Sequence, residues 1–473
     1  MSSLNSALLV SRSGLDATSV WSDATSRNIA NANTAGYVRK DVSFTSLSPS
    51  SGGAVTTEIQ REVDSSLDRI YRTETAKMST QQQIYEGVQA YTAILGQPDD
   101  DASPVAKLTA LQTSFDMLVN DPGDASAQQG VLDAASAMAQ SLNDTSDALA
   151  QVKGEVETEI KYNVSDLNTA LLKIADLNKQ LTATTSGSMD SAEMQDAMGR
   201  QVEAISAIMN VQVRTDSSGR VSLYTAGGTQ LVDGSSVNDL RYDQSGGKLY
   251  AGTAEITPGA SGVRGFDAGS LAGLFTLKDD TFPTFQSQLD TMAAALVNGF
   301  QGADTSLSSG QAGLFTDAGA AYDPASLPGL AGRISVNAAV DPSQGGTLSR
   351  IRDGVGATSA GAASDATQVQ AFQGVFSQSV AVTPATALAA GMTLGDYAAN
   401  MVSYQQAQGT QAQATYTALA TSAQTIDASR QSIQGVNIDD EMQKLIVIQH
   451  SYAANSKMMS AIAQMMDDLI QAV

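Results

Sequence analysis

At 473 residues the chain exceeds the roughly 250 to 300 at which a single core stops growing, so more than one module is expected. Hydrophobic residues make up 42% of it and aromatic ones only 5%, which favours helices packed side by side over a Phe-rich core. With 49 acidic against 26 basic residues, a formal net charge of -23, it would repel a phosphate backbone or an anionic bilayer, so neither nucleic acid nor membrane is an expected partner.

The absence of cysteine excludes disulfides, thiolate chemistry and sulfur-ligated metals, and the single histidine, His450, can build neither a His-rich metal site nor an imidazole relay. No cofactor and no metal is expected. No run of about 18 apolar residues could span a bilayer. The N-terminus lacks a basic head followed by an apolar stretch, so a Sec-type precursor is not expected.

In chain order, Leu8, Leu15, Val20, Trp21 and Ile29 give a weak amphipathic helix from Leu4 to Ile29. It ends in "RNIANANTAGYVRK", where Asn31 and Asn33 could adopt left-handed conformations and Gly36 a positive φ. The Ser/Gly-rich "TSLSPSSGGAVTTEI" then predicts a turn between extended segments. A second helix places Val63, Ile70, Ile84 and Tyr91 on sevenfold spacing and closes at Gly96 and Pro98. A third carries Val105, Leu108, Leu111, Phe115 and Leu118. From Asp124, a candidate N-cap, a near-heptad rhythm runs to Leu181, predicting one helix about 85 Å long at about 1.5 Å per residue.

After the helical "SAEMQDAMGRQVEAISAIMN" the period drops to two. Between Ser-Gly, Gly-Gly and Asp-Gly turns, "VQVRTDSSGRVSLYTAGGTQLVDG" and "LRYDQSGGKLYAG" predict β-hairpins. Helix resumes through Phe300, and a Gly/Ala-rich stretch with one strand, "GRISVNA", follows. A long helix with Ala412, Leu419, Ile426 and Ile433 spaced by sevens ends at Gly435. In the last segment Ile438, Met442, Leu445, Gln449, Tyr452, Ser456, Met459, Ala463, Met466, Ile470 and Val473 alternate steps of four and three. Such a stripe predicts a coiled coil, and its partner of similar length is the N-terminal helix.

The fold class read from this pattern is mainly α. A coiled coil of the two terminal helices and a long helical bundle carry a small inserted antiparallel β subdomain. The expected boundaries are 1–62 with 435–473 for a discontinuous terminal assembly domain and 63–210, 271–302 and 366–434 for the bundle. Residues 211–270 form the β subdomain, and 303–365 an outer segment. The acidic runs Asp99–Asp101, Asp279–Asp280, Asp439–Glu441 and Asp467–Asp468 do not converge, because neighbours on a helix point about 100° apart. Those that open helices suit the macrodipole. Asn437 fits an N-cap with Asp440 three positions on. No nucleophile elbow or phosphate loop is present, so no enzyme is expected.

The segment "SRNIANANTAGYVRK" resembles the N-terminal signature of the bacterial flagellar axial proteins, the rod, hook and hook-associated proteins. The segment "SIQGVNIDDEMQKLIVIQHSYAANSKMMSAIAQMMDDLIQ" is similar to their closing helix, with its Gly-Val-Asn start and Gln-x-x-Tyr-x-Ala-Asn core. The long helical region between them looks like that of the hook-associated members. The resemblance implies a non-enzymatic subunit of the junction ring between hook and filament. It would be exported unfolded through the flagellar type III channel and lie outside the cell. Implied partners are further copies of itself at the hook tip, hook protein, hook-associated protein 3 and a cytosolic export chaperone on the C-terminal region. The implied assembly residues are Asn28, Asn31, Asn33, Thr34, Gly36 and Tyr37 in the N-terminal motif. In the last helix they are Asn437, Ile438, Met442, Leu445, Gln449, Tyr452, Asn455, Met459, Met466 and Ile470. Alternatives are a hook or distal rod subunit, or a coiled-coil secreted effector or adhesin.

Overall fold

The computed structural model describes residues 2–46 and 55–471. Helix α1 (Ser2–Ala30) leads into the antiparallel hairpin β1 (Lys40–Ser46) and β2 (Val55–Arg61), whose Ser/Gly-rich turn lies outside the described residues. Next come α2 (Ser65–Leu95), α3 (Pro104–Asn120), α4 (Ala125–Ala183) and α5 (Met189–Ile208). The caps are local chemistry: Ser103 accepts the amide of Ala106 with Pro104 at the first turn, Asp124 accepts that of Ser126, and Ser188 that of Ser191. Helix α4 runs unbroken for 59 residues, as its heptad rhythm predicts.

Seven short strands follow: β3 (Val211–Thr215), β4 (Val221–Thr225), β5 (Gln230–Asp233), β6 (Ser236–Val237), β7 (Leu240–Asp243), β8 (Lys248–Ala251) and β9 (Ala254–Glu255). They pair antiparallel in chain order as one four-stranded and one three-stranded sheet. Then come α6 (Ser270–Thr276), a π-turn at Leu277–Thr281, α7 (Phe282–Ala303), the paired strands β10 (Phe315–Asp317) and β11 (Ile334–Val336), α8 (Ser349–Asp353) and α9 (Thr367–Val375). The chain closes with α10 (Leu394–Gln434) and α11 (Ile438–Gln471). The mainly helical class with small antiparallel sheets is borne out.

Two compact units are present. The first comprises residues 1–79, 162–272 and 417–473. In it Asn178 ties α4 to the four-stranded sheet, its amide nitrogen donating to the carbonyls of Val221 and Gly234 and its oxygen accepting the Val221 amide. Asn168 holds Leu240 of the three-stranded sheet in the same two-way fashion. An amide side chain can pair with an extended backbone as a strand does, which is how a helix holds a sheet edge without a strand of its own.

The second unit comprises residues 80–161 and 273–416. Its core departs from the composition-based expectation, because five of the ten phenylalanines gather in one place. Phe300 lies 5.2 to 5.8 Å, centroid to centroid, from Phe315, Phe115, Phe372 and Phe376. Composition averages over the chain and is blind to such clustering. Beside this core, Tyr91 donates to Gln405, Gln405 to Gln288, and Gln288 to the Thr386 carbonyl, a buried polar chain with every link satisfied. Residues 303–365 hold two strands rather than the one expected, fastened by Asp290, which accepts the amides of Gly329 and Ala331. Burial pushes the Asp290 carboxyl above the usual range.

Candidate assembly site

Helices α1 and α11 pack on each other, as a coiled coil of the chain ends requires. Two contacts set their direction. A methyl group at Gly14 would sit 3.0 Å from the Asn455 side chain, and Asn28 bonds Glu441. Moving from the first contact to the second ascends α1 and descends α11 by the same two heptads, so the pair is antiparallel.

The face that α11 buries is not the one its apolar rhythm marks. Glu441, Ile448 and Ile462 are buried and Leu445, Asn455 and Met459 half-buried. Of the expected stripe, Ile438, Met442, Gln449, Tyr452, Met466 and Ile470 are exposed, Tyr452 at 54% and Ile470 at 72%. Val473 lies outside the described residues. On α1 the buried positions are Ser11, Ala17, Thr18, Ala24, Thr25 and Asn28, whereas Leu8, Leu15, Val20, Trp21 and Ile29 are half-buried. Small side chains let the backbones approach closely, so the contact face is built from residues that a search for apolar periodicity passes over.

At the end of this crossing Asn28, fully buried, uses all four of its hydrogen-bonding positions. Its amide nitrogen donates to the Lys40 carbonyl at 2.8 Å and to Glu441 Oε2 at 3.0 Å. Its oxygen accepts the Lys40 amide at 3.0 Å and the Tyr37 hydroxyl at 2.9 Å. One side chain thus joins the end of α1, the start of β1 and the first turn of α11. Glu441 also accepts from Lys444 at 2.9 Å. Grouping Glu441 with Asp439 and Asp440 as dipole-facing acids therefore misses it: those two are exposed, while Glu441 is sealed inside.

The intervening turn is held locally. The Asn31 amide nitrogen donates to the Arg27 carbonyl, the Thr34 hydroxyl to Asn31 Oδ1, and the Tyr37 amide to the Thr34 carbonyl. Asn33 and Thr34 are exposed. Neither Asn31 nor Asn33 is left-handed; within residues 31–37 only Gly36 has a positive φ, +71°. One such residue suffices to reverse the chain where α1 stops, and Gly bears it without a Cβ penalty. At the far end Asn437 caps α11, its Oδ1 accepting the Asp439 amide at 3.0 Å.

Lys40 is not a free positive charge for a neighbour. It is 1% exposed, its ammonium lies 2.6 Å from Asp196 and 3.6 Å from the centroid of the Tyr37 ring, and Arg61 meets the other oxygen of Asp196 at 2.7 Å. Burial lowers the Lys40 pKa while Asp196 opposes the shift, and burial raises that of Tyr37. A second charged knot surrounds Arg430, which pairs with Glu203, with Asp427 at 3.0 Å and with Asp68 at 3.6 Å, and lies over the Tyr71 ring. The signal that could have located the first knot is a lysine opening a half-buried strand, since such a charge demands a counter-ion.

Comparison with known proteins places these parts. A model of the flagella basal body rod protein matches residues 8–37, and one of the flagellar basal body rod FlgEFG protein C-terminal region matches 429–472, the two ends that meet at Asn28 and Glu441. Between them, residues 92–313 match the helical domain of flagellar hook-associated protein FlgK. Part by part the chain is similar to bacterial flagellar axial proteins, whose members are structural and non-enzymatic.

Within that family its relatives are flagellar hook-associated protein 1, so the resemblance read in the terminal motifs is borne out. Identity to the Bacillus subtilis (strain 168) protein is 24% over 518 residues, 99% of this chain and 98% of the relative. To the Salmonella typhimurium protein it is 25% over 307 residues, 62% of this chain and 55% of the relative. The solved flagellar hook junction protein FlgK from Burkholderia pseudomallei is similar over 52% of this chain and 46% of its own, with 21% identity and a TM-score of 0.43. The protein is thus a hook-associated structural component of the flagellum.

Proposed function

We propose that this chain forms the junction ring between hook and filament, polymerising through α1 and α11 at the hook tip after export by the flagellar type III apparatus. The observation that carries the reading is the outer face of α11. Met442, Ile446, Tyr452, Met458, Met465 and Ile470 are all exposed on a helix whose opposite side already packs on α1. Large apolar side chains left in water around a helix with only one packed side favour association. Neighbouring copies cover it in the ring, and a cytosolic export chaperone covers it beforehand. Hook protein below and hook-associated protein 3 above complete the contacts. The assembly residues are then Asn28, Asn31, Asn33, Thr34, Gly36 and Tyr37, which shape the turn between α1 and β1, and the stripe from Asn437 to Ile470 on α11.

Deletion of the gene is the test. Cells should carry hooks without filaments and shed flagellin into the medium. Antibody against this chain that decorates the hook shaft instead of its tip would make it a hook or rod subunit. Normal filaments in the deletion strain would sink the flagellar role.

A further inference from the structure

The turn at residues 32–38 forms one wall of a cleft of about 940 Å³, whose other walls come from the start of α2, from α5, from β3 and β4, and from residues 430–437. Five arginines line it, Arg61, Arg69, Arg72, Arg200 and Arg430, against three acids, Asp68, Asp196 and Glu203. In a chain with nearly twice as many acidic as basic residues, this is a local reversal of sign. Arg61 and Arg430 are occupied by the two charged knots. Arg69, Arg72 and Arg200 have no carboxylate within ion-pair distance among the described residues. Arg72 is deeply placed, and burial lowers its pKa. A guanidinium that burial destabilises, as at Arg72, is costly to keep charged, and an anion entering the cleft offsets that cost.

We propose that this cleft receives a carboxylate-bearing segment of a second copy of the chain. Two copies at -23 each repel, so their association needs places where opposite charges meet, and the cleft is such a place. The same chain supplies exposed acidic runs that pair with no basic side chain among the described residues, at Asp439–Asp440 and Asp467–Asp468. The inference rests on the polymerising role proposed above and names one of its contacts.

The test uses Arg200→Lys in full-length chain assembled on cells. Arg200 is exposed, and lysine keeps its charge while adding an amine that a zero-length carbodiimide can couple to a touching carboxylate. The expected result is a covalent dimer in which position 200 is joined to an Asp or Glu of another copy. Its yield should fall severalfold at about 1 M salt during coupling, where the Debye length is only about 3 Å. Arg72→Gln in the same chain should lower that yield severalfold too, with unchanged helical content. Coupling of position 200 only within its own chain, or to a different protein, while copies still cross-link through native lysines, overturns this contact alone. Absence of any link between copies overturns the polymerising role and this contact with it.

Discussion

Asn28 and Glu441, 413 positions apart in the chain, share a 3.0 Å hydrogen bond in a site from which water is excluded. The bond connects the stretch matched by the rod-protein model to the stretch matched by the C-terminal model, so the two signatures describe halves of one structure.

Replacing Asn28 with Ala leaves the Lys40 amide and carbonyl, the Tyr37 hydroxyl and Glu441 each short of a partner. Unfilled buried polar groups cost about 1 to 3 kcal/mol each, so a loss of at least about 3 kcal/mol is expected in urea unfolding followed by circular dichroism. Asn28→Asp should be no better, because it sets a second carboxylate against Glu441. A loss below about 1 kcal/mol for the alanine variant would show that the network does not hold the ends together.

Gly36→Ala should destabilise by about 1 to 2 kcal/mol, the penalty for an L-residue in the left-handed region. It has a second source as well: the added methyl would stand 2.7 Å from Arg200 Cγ and must push that side chain aside. Gly234, also at positive φ but with open space around it, is the internal control. Equal melting-temperature losses for the two alanine variants would remove Arg200 from the explanation.

Met458→Glu with Met465→Glu separates assembly from stability. Both methionines are exposed, at 57% and 47%, so the folded chain should change by no more than about 0.5 kcal/mol per site. Motility should nevertheless be lost and flagellin shed. Swimming cells carrying the double variant would mean that the outer face of α11 is not the assembly surface.

Tyr37, Tyr71, Tyr91 and Tyr397 all have raised pKa values, in each case chiefly through burial. The folded chain therefore keeps these phenolic protons at a pH where the unfolded chain gives them up. Their contribution is whole below about pH 10 and declines as pH climbs from there. Lys40, whose pKa burial lowers, works in the opposite sense, with stability rising with pH until the unfolded lysine value near about 10.4 is passed. Above that point the decline belongs to the tyrosines. Unfolding free energy should fall between about pH 10.5 and 12, with part of the phenolate absorbance appearing only on unfolding. A flat profile across that range would contradict the assignment.

Much of this architecture was legible because its signals are local and periodic: the 59-residue α4 in its heptads, the hairpins of 211–270 in their turns, the start of α11 in Asn437. The terminal motifs were legible too, although by resemblance rather than by physics. What escaped depends on pairing across distance. The rhythm from Ile438 to Ile470 is real, yet α11 turns Glu441, Asn455 and Ile462 toward α1 instead, since Ser11, Gly14 and Thr18 offer closeness rather than oil. Asp196 carries no local signal, yet it neutralises the buried Lys40 and the half-buried Arg61, a role visible only once both stand beside it.

The knot at Asn28 also bears on timing. Bringing residues 28 and 441 together closes a loop of 413 residues, an entropic cost on the order of 5 kcal/mol before any contact forms. The first unit draws on residues 417–473, so it cannot finish folding until nearly the whole chain has emerged, whereas the second needs nothing beyond residue 416. A chain interrupted before residue 441 would thus complete one unit and leave the other open, with the Asn28 amide nitrogen short of one acceptor. The buried amide at position 28 acts as a check on completeness: it becomes satisfied only when the last helix has arrived.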